Sequence, residues 1–164
     1  MTAQQIIEKL GLVPLPGEGG YYRETYRSKA LLPRAALPAG YPADRAAGTA
    51  IYYLLTPETS SALHRLRGDE VWHFYRGDPV EQLQLRPDGG GRIVVLGPDL
   101  ERGQEPQTLV PGGTWQSARL LPGGRFALMG TTMAPGFEFE EYAPGNPAEL
   151  RKAYPLLDRW LNKL

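Results

Sequence analysis

Cysteine is absent from this chain and histidine occurs only twice. The first absence excludes disulfides, thiolate zinc sites and cysteine nucleophiles, and it agrees with a reducing, cytoplasmic location. Charge excess is missing too, because 18 Lys and Arg face 18 Asp and Glu. Neither sign gathers into a run, so no global field recruits nucleic acid or an anionic membrane, and the expected partner is a small molecule recognised locally. No apolar stretch reaches the roughly 18 residues of a spanning helix, and the chain opens without a basic segment followed by an apolar one. Nucleophile signatures are also lacking, since Ser60, Ser61 and Ser117 lie in no Gly-x-Ser-x-Gly elbow.

Turn residues are abundant. Glycine (20) and proline (16) are spread between short apolar segments, which implies many short elements joined by tight turns. One domain over residues 1–164 is the reading of this length. Its start, "TAQQIIEKLG", predicts a helix over about 2–10, with Thr2 and Gln5 as a capping box and Gly11 as its stop. Alternating segments follow over about 20–142, among them "YYRETYR", "TAIYYLL", "EVWHFY", "VEQLQL", "RIVVLG" and "WQSARLL". They read as half-buried strands of an all-β barrel or sandwich. "RPDGGG" predicts a hairpin between "VEQLQL" and "RIVVLG", and "LPGGRF" a second hairpin. Residues 28–48, with three prolines and no period, predict an irregular excursion that could serve as a lid. Helices return over about 147–163, with Asn146 as N-cap, Pro147 at the first position and Glu149 completing the cap.

Both histidines fall within "SALHRLRGDEVWHFYRG", residues 61–77. If "SSALH" and "EVWHFYRG" are antiparallel neighbours, His64 and Glu70 meet at the facing ends of one hairpin. Period-two alternation puts Glu70, Trp72 and Phe74 on one face and Val71, His73 and Tyr75 on the other, which assigns His73 to the barrel wall.

Glu70 followed by Gly77 resembles the end of the first cupin motif, and "PGGTWQ" resembles the second, with Gln116 where that motif has histidine. The blocks "EGGYYRETYRS", "HRLRGDEVWHFYRGDPVEQLQL", "PQTLVPGGTWQSARL" and "APGFEFEEY" are together similar to the cupin-5 family of single-domain cupins. The resemblance implies a double-stranded β-helix, or jelly roll, with short terminal helices, and a homodimer. It also implies a site at the barrel mouth. In metal-binding cupins the first motif supplies two histidines and a glutamate; here His64 matches the first histidine and Leu66 stands at the second. His64, Glu70 and Gln116 would therefore hold a divalent ion only weakly.

Three functions follow from this reading. In the first, the barrel binds a small polar, carbohydrate-like metabolite, and His64 with Glu70 performs metal-free acid–base chemistry of the isomerase or epimerase kind. Trp72, Phe74, Trp115, Gln116 and Ser117 then line the ligand site, with Tyr53, Tyr75 or Tyr142 as a second proton donor. In the second, the protein is a metal-dependent enzyme using His64, Glu70 and Gln116. In the third, it is a non-catalytic binding or regulatory module. Arg65 and Arg67 read as loop charges, and "PGFEFEEY" and Tyr22, Arg23 and Glu24 as structural.

Overall fold

A computed structural model describes residues 1–161. Helix α1 (Ala3–Leu10) precedes thirteen strands: β1 (Val13–Pro14), β2 (Tyr21–Arg27), β3 (Leu31–Leu32), β4 (Arg45–Ala46), β5 (Thr49–Leu55), β6 (Ser61–Arg65), β7 (Glu70–Gly77), β8 (Val80–Leu85), β9 (Gly91–Leu96), β10 (Gln107–Val110), β11 (Trp115–Leu120), β12 (Ala127–Met133) and β13 (Ala143–Pro144). Helices α2 (Pro147–Leu150) and α3 (Pro155–Leu161) follow; the expected continuation of the last helix to residue 163 lies outside the described residues. Among the described residues no helix is long and apolar enough to cross a membrane.

Two sheets face each other, one ordered β1-β2-β5-β12-β7-β10 and the other β13-β6-β11-β8-β9. Successive strands from β5 to β8, and again from β9 to β12, alternate between the sheets. This is the jelly roll that the resemblance to cupins implies, and it falls within the barrel-or-sandwich class that the alternating segments predict. The hairpin at "RPDGGG" forms, pairing Val80 with Leu96 through Leu85 with Gly91. The hairpin expected at "LPGGRF" does not, since β11 pairs with β6 and β8 while β12 pairs with β5 and β7. Nor do β6 and β7 form one: they lie in opposite sheets. A glycine-rich turn marks where the chain reverses; whether the next strand joins the same sheet depends on long-range pairing.

Inward side chains of both sheets form the barrel core, including Tyr53, Leu55, Trp72, Val80, Val110, Ala118 and Met129. Burying each large side chain contributes about 1.5–3 kcal/mol. Strand β8 is buried at all six positions because it is covered twice. Val80 joins the interior, whereas Leu83 and Leu85 pack outward against Tyr154, Leu157 and Trp160 of the C-terminal segment. The Thr2–Gln5 capping box and a left-handed Gly11 bound α1, and its buried Ile6 packs on Leu12, Leu54 and Phe126. Asn146 caps α2, with Pro147 inside its first turn.

Arg45 ties the 28–48 excursion to the segment after β12. Its side chain is 1% exposed, and it donates to Glu141 Oε1 at 2.5 Å and Glu140 Oε1 at 2.5 Å. It also donates to the carbonyls of Ala43 and Asp44. Such a pair contributes little net energy while intact, but removal of one partner strands a buried charge. Arg45→Met is accordingly expected to lower unfolding free energy by about 3–5 kcal/mol in urea titrations. Glu140→Ala, at a side chain 53% exposed, should cost about 1 kcal/mol or less. Equal small losses in both variants would refute the anchoring role.

Candidate functional site

Between the six-stranded sheet and the segments around residues 15–18 and 137–142 lies a cavity of about 120 Å³. Its wall is largely apolar and aromatic, with Tyr22, Ile51, Tyr53, Trp72, Phe137 and Tyr142 prominent, and its charged members are Glu18, Glu24, Arg27, Glu70 and Glu138. None of residues 28–48 lines it, so the excursion is a clamp on the neighbouring segment and not the lid of this cavity.

Glu18 reaches the cavity through a tight turn after β1. Gly19 and Gly20 have φ of +98° and +71°, and a Cβ on Gly19 would sit 2.4 Å from Ser60 O. Only glycine lets the turn press this closely on the strands. The turn is pinned by Ala62 N–H donating to Glu18 O at 2.8 Å and by the Tyr53 hydroxyl donating to Gly19 O at 2.8 Å. Glu18 then accepts from Ser61 Oγ at 2.8 Å and stands 3.8 Å from His64 Nε2.

Period two alone would separate Ser61 from His64. A register shift resolves this: His64 pairs with Gln116 and Ser61 with Ala118, so residues three apart on β6 match residues two apart on β11, as in a β-bulge. Both are buried, at 0% and 1% exposure. His64 Nδ1 lies 2.7 Å from Ala62 O. A carbonyl only accepts, so Nδ1 carries the hydrogen and, in the neutral ring, Nε2 offers a lone pair toward Glu18. Tyr142 stacks on the imidazole at 5.1 Å. Burial, opposed by His64 and reinforced by the Glu70 charge, raises the Glu18 carboxyl above its ordinary value. Burial and then Glu18 push the Tyr142 phenol up to about 12, so it remains a neutral donor at physiological pH.

Glu70 belongs to a second group. Its Oε2 accepts from Gln116 Nε2 at 2.7 Å and Trp72 Nε1 at 3.0 Å, while Trp72 Nε1 also approaches Gln116 Oε1 at 3.1 Å. The carboxylate facing His64 is thus Glu18, and Glu70 is held as a fixed acceptor. This arrangement does not fit the divalent ion that a His64, Glu70 and Gln116 set would hold. The amide oxygen of Gln116 is engaged by the indole, buried Leu66 stands at the second histidine's place, and among the described residues no three His, Asp or Glu side chains converge as a metal set.

The remaining sequence candidates scatter. Phe74 is partly buried against the inner core. Trp115 faces outward, against the C-terminal helices and under Arg65 at 4.6 Å. Ser117 donates to Ser61 O at 2.8 Å. None of the three lines the cavity. His73 lies on the wall, bonded to Thr132 and Gln107, with its pKa lowered by burial. Tyr75 stacks on His73, 52% exposed. Arg67 lies over Tyr41 at 5.6 Å. Conversely, Glu24, Phe137, Glu138 and Phe139, read from sequence as structural, line the cavity, as does Glu18. A lone glutamate between glycines carries no signal of burial.

Comparison with known proteins places these features in a family. The model of the Cupin superfamily (DUF985) family matches residues 4–144. The uncharacterized protein YML079W of Saccharomyces cerevisiae is 30% identical over 149 residues, covering 86% of this chain and 74% of that protein. Among solved structures, a hypothetical protein from Leishmania major matches with a TM-score of 0.84 at 33% identity, covering 95% of this chain and 94% of its own. Protein SO0799 from Shewanella oneidensis matches with 0.81 at 33% identity, covering 95% and 92%. With the jelly roll, the Glu70-to-Gly77 strand and the full-length matches in agreement, the chain belongs to the DUF985 family of the cupin superfamily.

Proposed function

We propose that this cupin binds a small polar, carbohydrate-like molecule in its barrel cavity and moves a proton on it without a metal, in the manner of an isomerase or epimerase. The observation that carries this is the Glu18 carboxylate, standing in the cavity wall 3.8 Å from His64 Nε2. Glu18 lines the cavity and His64 does not, so Glu18 is the group that would touch the ligand. His64 is a positioning residue behind it, its tautomer set by Ala62 O. Burial raises this carboxyl above its ordinary value, the direction in which enzymes tune carboxyls that act as proton donors. Glu70, held by two donors, would orient a ligand hydroxyl, and Trp72 and Tyr142 would pack against its ring face.

Glu18→Gln tests this with two independent readouts. The amide preserves shape, keeps an oxygen for Ser61 and presents an N–H to His64, but it has no titratable proton and cannot act as a general acid or base. Incubation with a panel of aldoses and ketoses in D₂O, followed by proton NMR, is expected to show exchange of the hydrogen next to the carbonyl, slowed about 10²–10⁴-fold in Glu18→Gln. Binding of sugars without exchange of any hydrogen would reduce the protein to a binding module.

Stability should move the opposite way. Because the folded-state pKa of Glu18 is raised from 4.5, the folded protein favours the protonated form. The burden of ionisation is absent below pH 4.5 and grows as pH rises through the folded value. Glu18→Gln is therefore expected to melt above wild type at pH 7–8, with the gap closing toward pH 4. A mutant less stable than wild type at neutral pH would contradict the buried-carboxylate picture.

The donor geometry also predicts metal content. Elemental mass spectrometry on protein prepared without a polyhistidine tag or chelator should find well under one ion per chain, unchanged by His64→Ala. One ion per chain, lost in that variant, would replace the proton-transfer reading with a metal-dependent one.

A further inference from the structure

The cavity has an unbalanced charge. Four carboxylates line it, Glu18, Glu24, Glu70 and Glu138, against one cation, Arg27. That cation is already committed. Arg27 Nε and Nη2 fork onto Glu24 at 3.0 and 2.9 Å, Nη1 donates to Glu138 at 2.6 Å, and Nη2 also reaches Phe137 O at 3.1 Å. Four of the five guanidinium N–H groups are thereby used, so no pair remains to grip a phosphate or carboxylate in a fork, and an anion entering here would meet net negative charge at short range.

Glu70 provides a second, independent pointer. The residue is only 7% exposed. Its Oε2 takes both the indole and the amide donor, whereas Oε1 accepts no hydrogen bond among the described residues. An oxygen without a donor on a cavity-lining carboxylate is a ready acceptor for an entering ligand, and the strongest donor for it is a charged N–H. The same cavity is lined by Tyr22, Trp72, Phe137, Phe139 and Tyr142, and aromatic rings attract cations over their faces.

We infer that the ligand of this cavity carries a protonated amino group, bound by the free oxygen of Glu70 and the aromatic wall, and that anionic sugars and sugar nucleotides are rejected. This inference rests on the reading of the cavity as a site for a small polar molecule and narrows its substrate class to amino sugars or comparably small hydroxylated amines. At about 120 Å³ the space is far below the roughly 300–1,000 Å³ of pockets for drug-sized ligands, which agrees with a ligand of one ring or less.

Isothermal titration calorimetry on the full chain at pH 7 separates the possibilities with a matched series: glucosamine, N-acetylglucosamine, glucose, glucuronate and ethanolamine. The expected result is glucosamine or ethanolamine binding about tenfold or more tighter than glucose, the difference that one charge-assisted hydrogen bond supplies. Loss of binding on N-acetylation, no heat from glucuronate and weakening by salt are expected with it. Tighter binding of glucosamine than of ethanolamine would identify the amino-sugar source of the ammonium, and the reverse a simple amine. Glu70→Gln should remove the preference for the amine, with near-ultraviolet circular dichroism reporting whether Trp72 keeps its environment. If that variant does not fold, Glu24→Gln, at a side chain 40% exposed, should reduce the preference in the same direction. Equal affinity for glucose and glucosamine, or tighter binding of glucuronate, overturns the ammonium inference and leaves the sugar-binding reading standing. Absence of binding by every probe overturns both.

Discussion

The carboxylate of Glu18 sits inside the barrel wall with a hydrogen bond from Ser61 and an imidazole 3.8 Å away. Withdrawal from water disfavours its charge, and the nearby Glu70 disfavours it further. A folded protein tolerates such a group only when the surroundings determine it closely. Here they do: the glycine turn fixes the backbone, β6 pins the Glu18 carbonyl, and His64 is locked by Ala62 O.

The same economy governs the opposite wall. Glu70, Trp72 and Gln116 satisfy one another across the two sheets, joining β7 to β11 through side chains where the backbone ladders do not meet. In a jelly roll the interior is bridged only by side chains, so a polar bridge fixes the spacing of the sheets as well as the place of Glu70 and Trp72 in the cavity wall. Where metal-binding cupins place imidazoles, this chain places Leu66 and Gln116.

At the rim, Arg27 and Arg45 hold the 137–142 segment through its glutamates. That segment brings Phe137, Phe139 and Tyr142 to the cavity. The segment is therefore held by two ion clusters of different character, one partly exposed and open to screening by salt, the other built on the buried Arg45–Glu141 pair, which salt screens much less.

Much of this was legible in the residues. Alternation, turn glycines and helix caps carry local physics, so the strands around Tyr21–Arg27, Thr49–Leu55 and Glu70–Gly77, the caps at Thr2 and Asn146, and the all-β class follow from these patterns, while the jelly roll itself follows from the resemblance to cupins. Local rules also assign His73 to the wall and Trp72 to the interior. They fail where an outcome depends on which distant strands pair. The "LPGGRF" turn has hairpin chemistry but crosses between sheets. Trp115 has the composition of a binding residue but faces the C-terminal helices, because β11 alternates from the other parity. His64 pairs with Glu18 and not Glu70, because a bulge in β6 and a turn some 45 residues upstream meet only in three dimensions. Sequence by itself determined the elements and the inventory of chemically able side chains, since both are set by neighbours along the chain. Tertiary structure decided which carboxylate faces the histidine and which residues share the cavity, since burial and convergence are properties of the closed barrel.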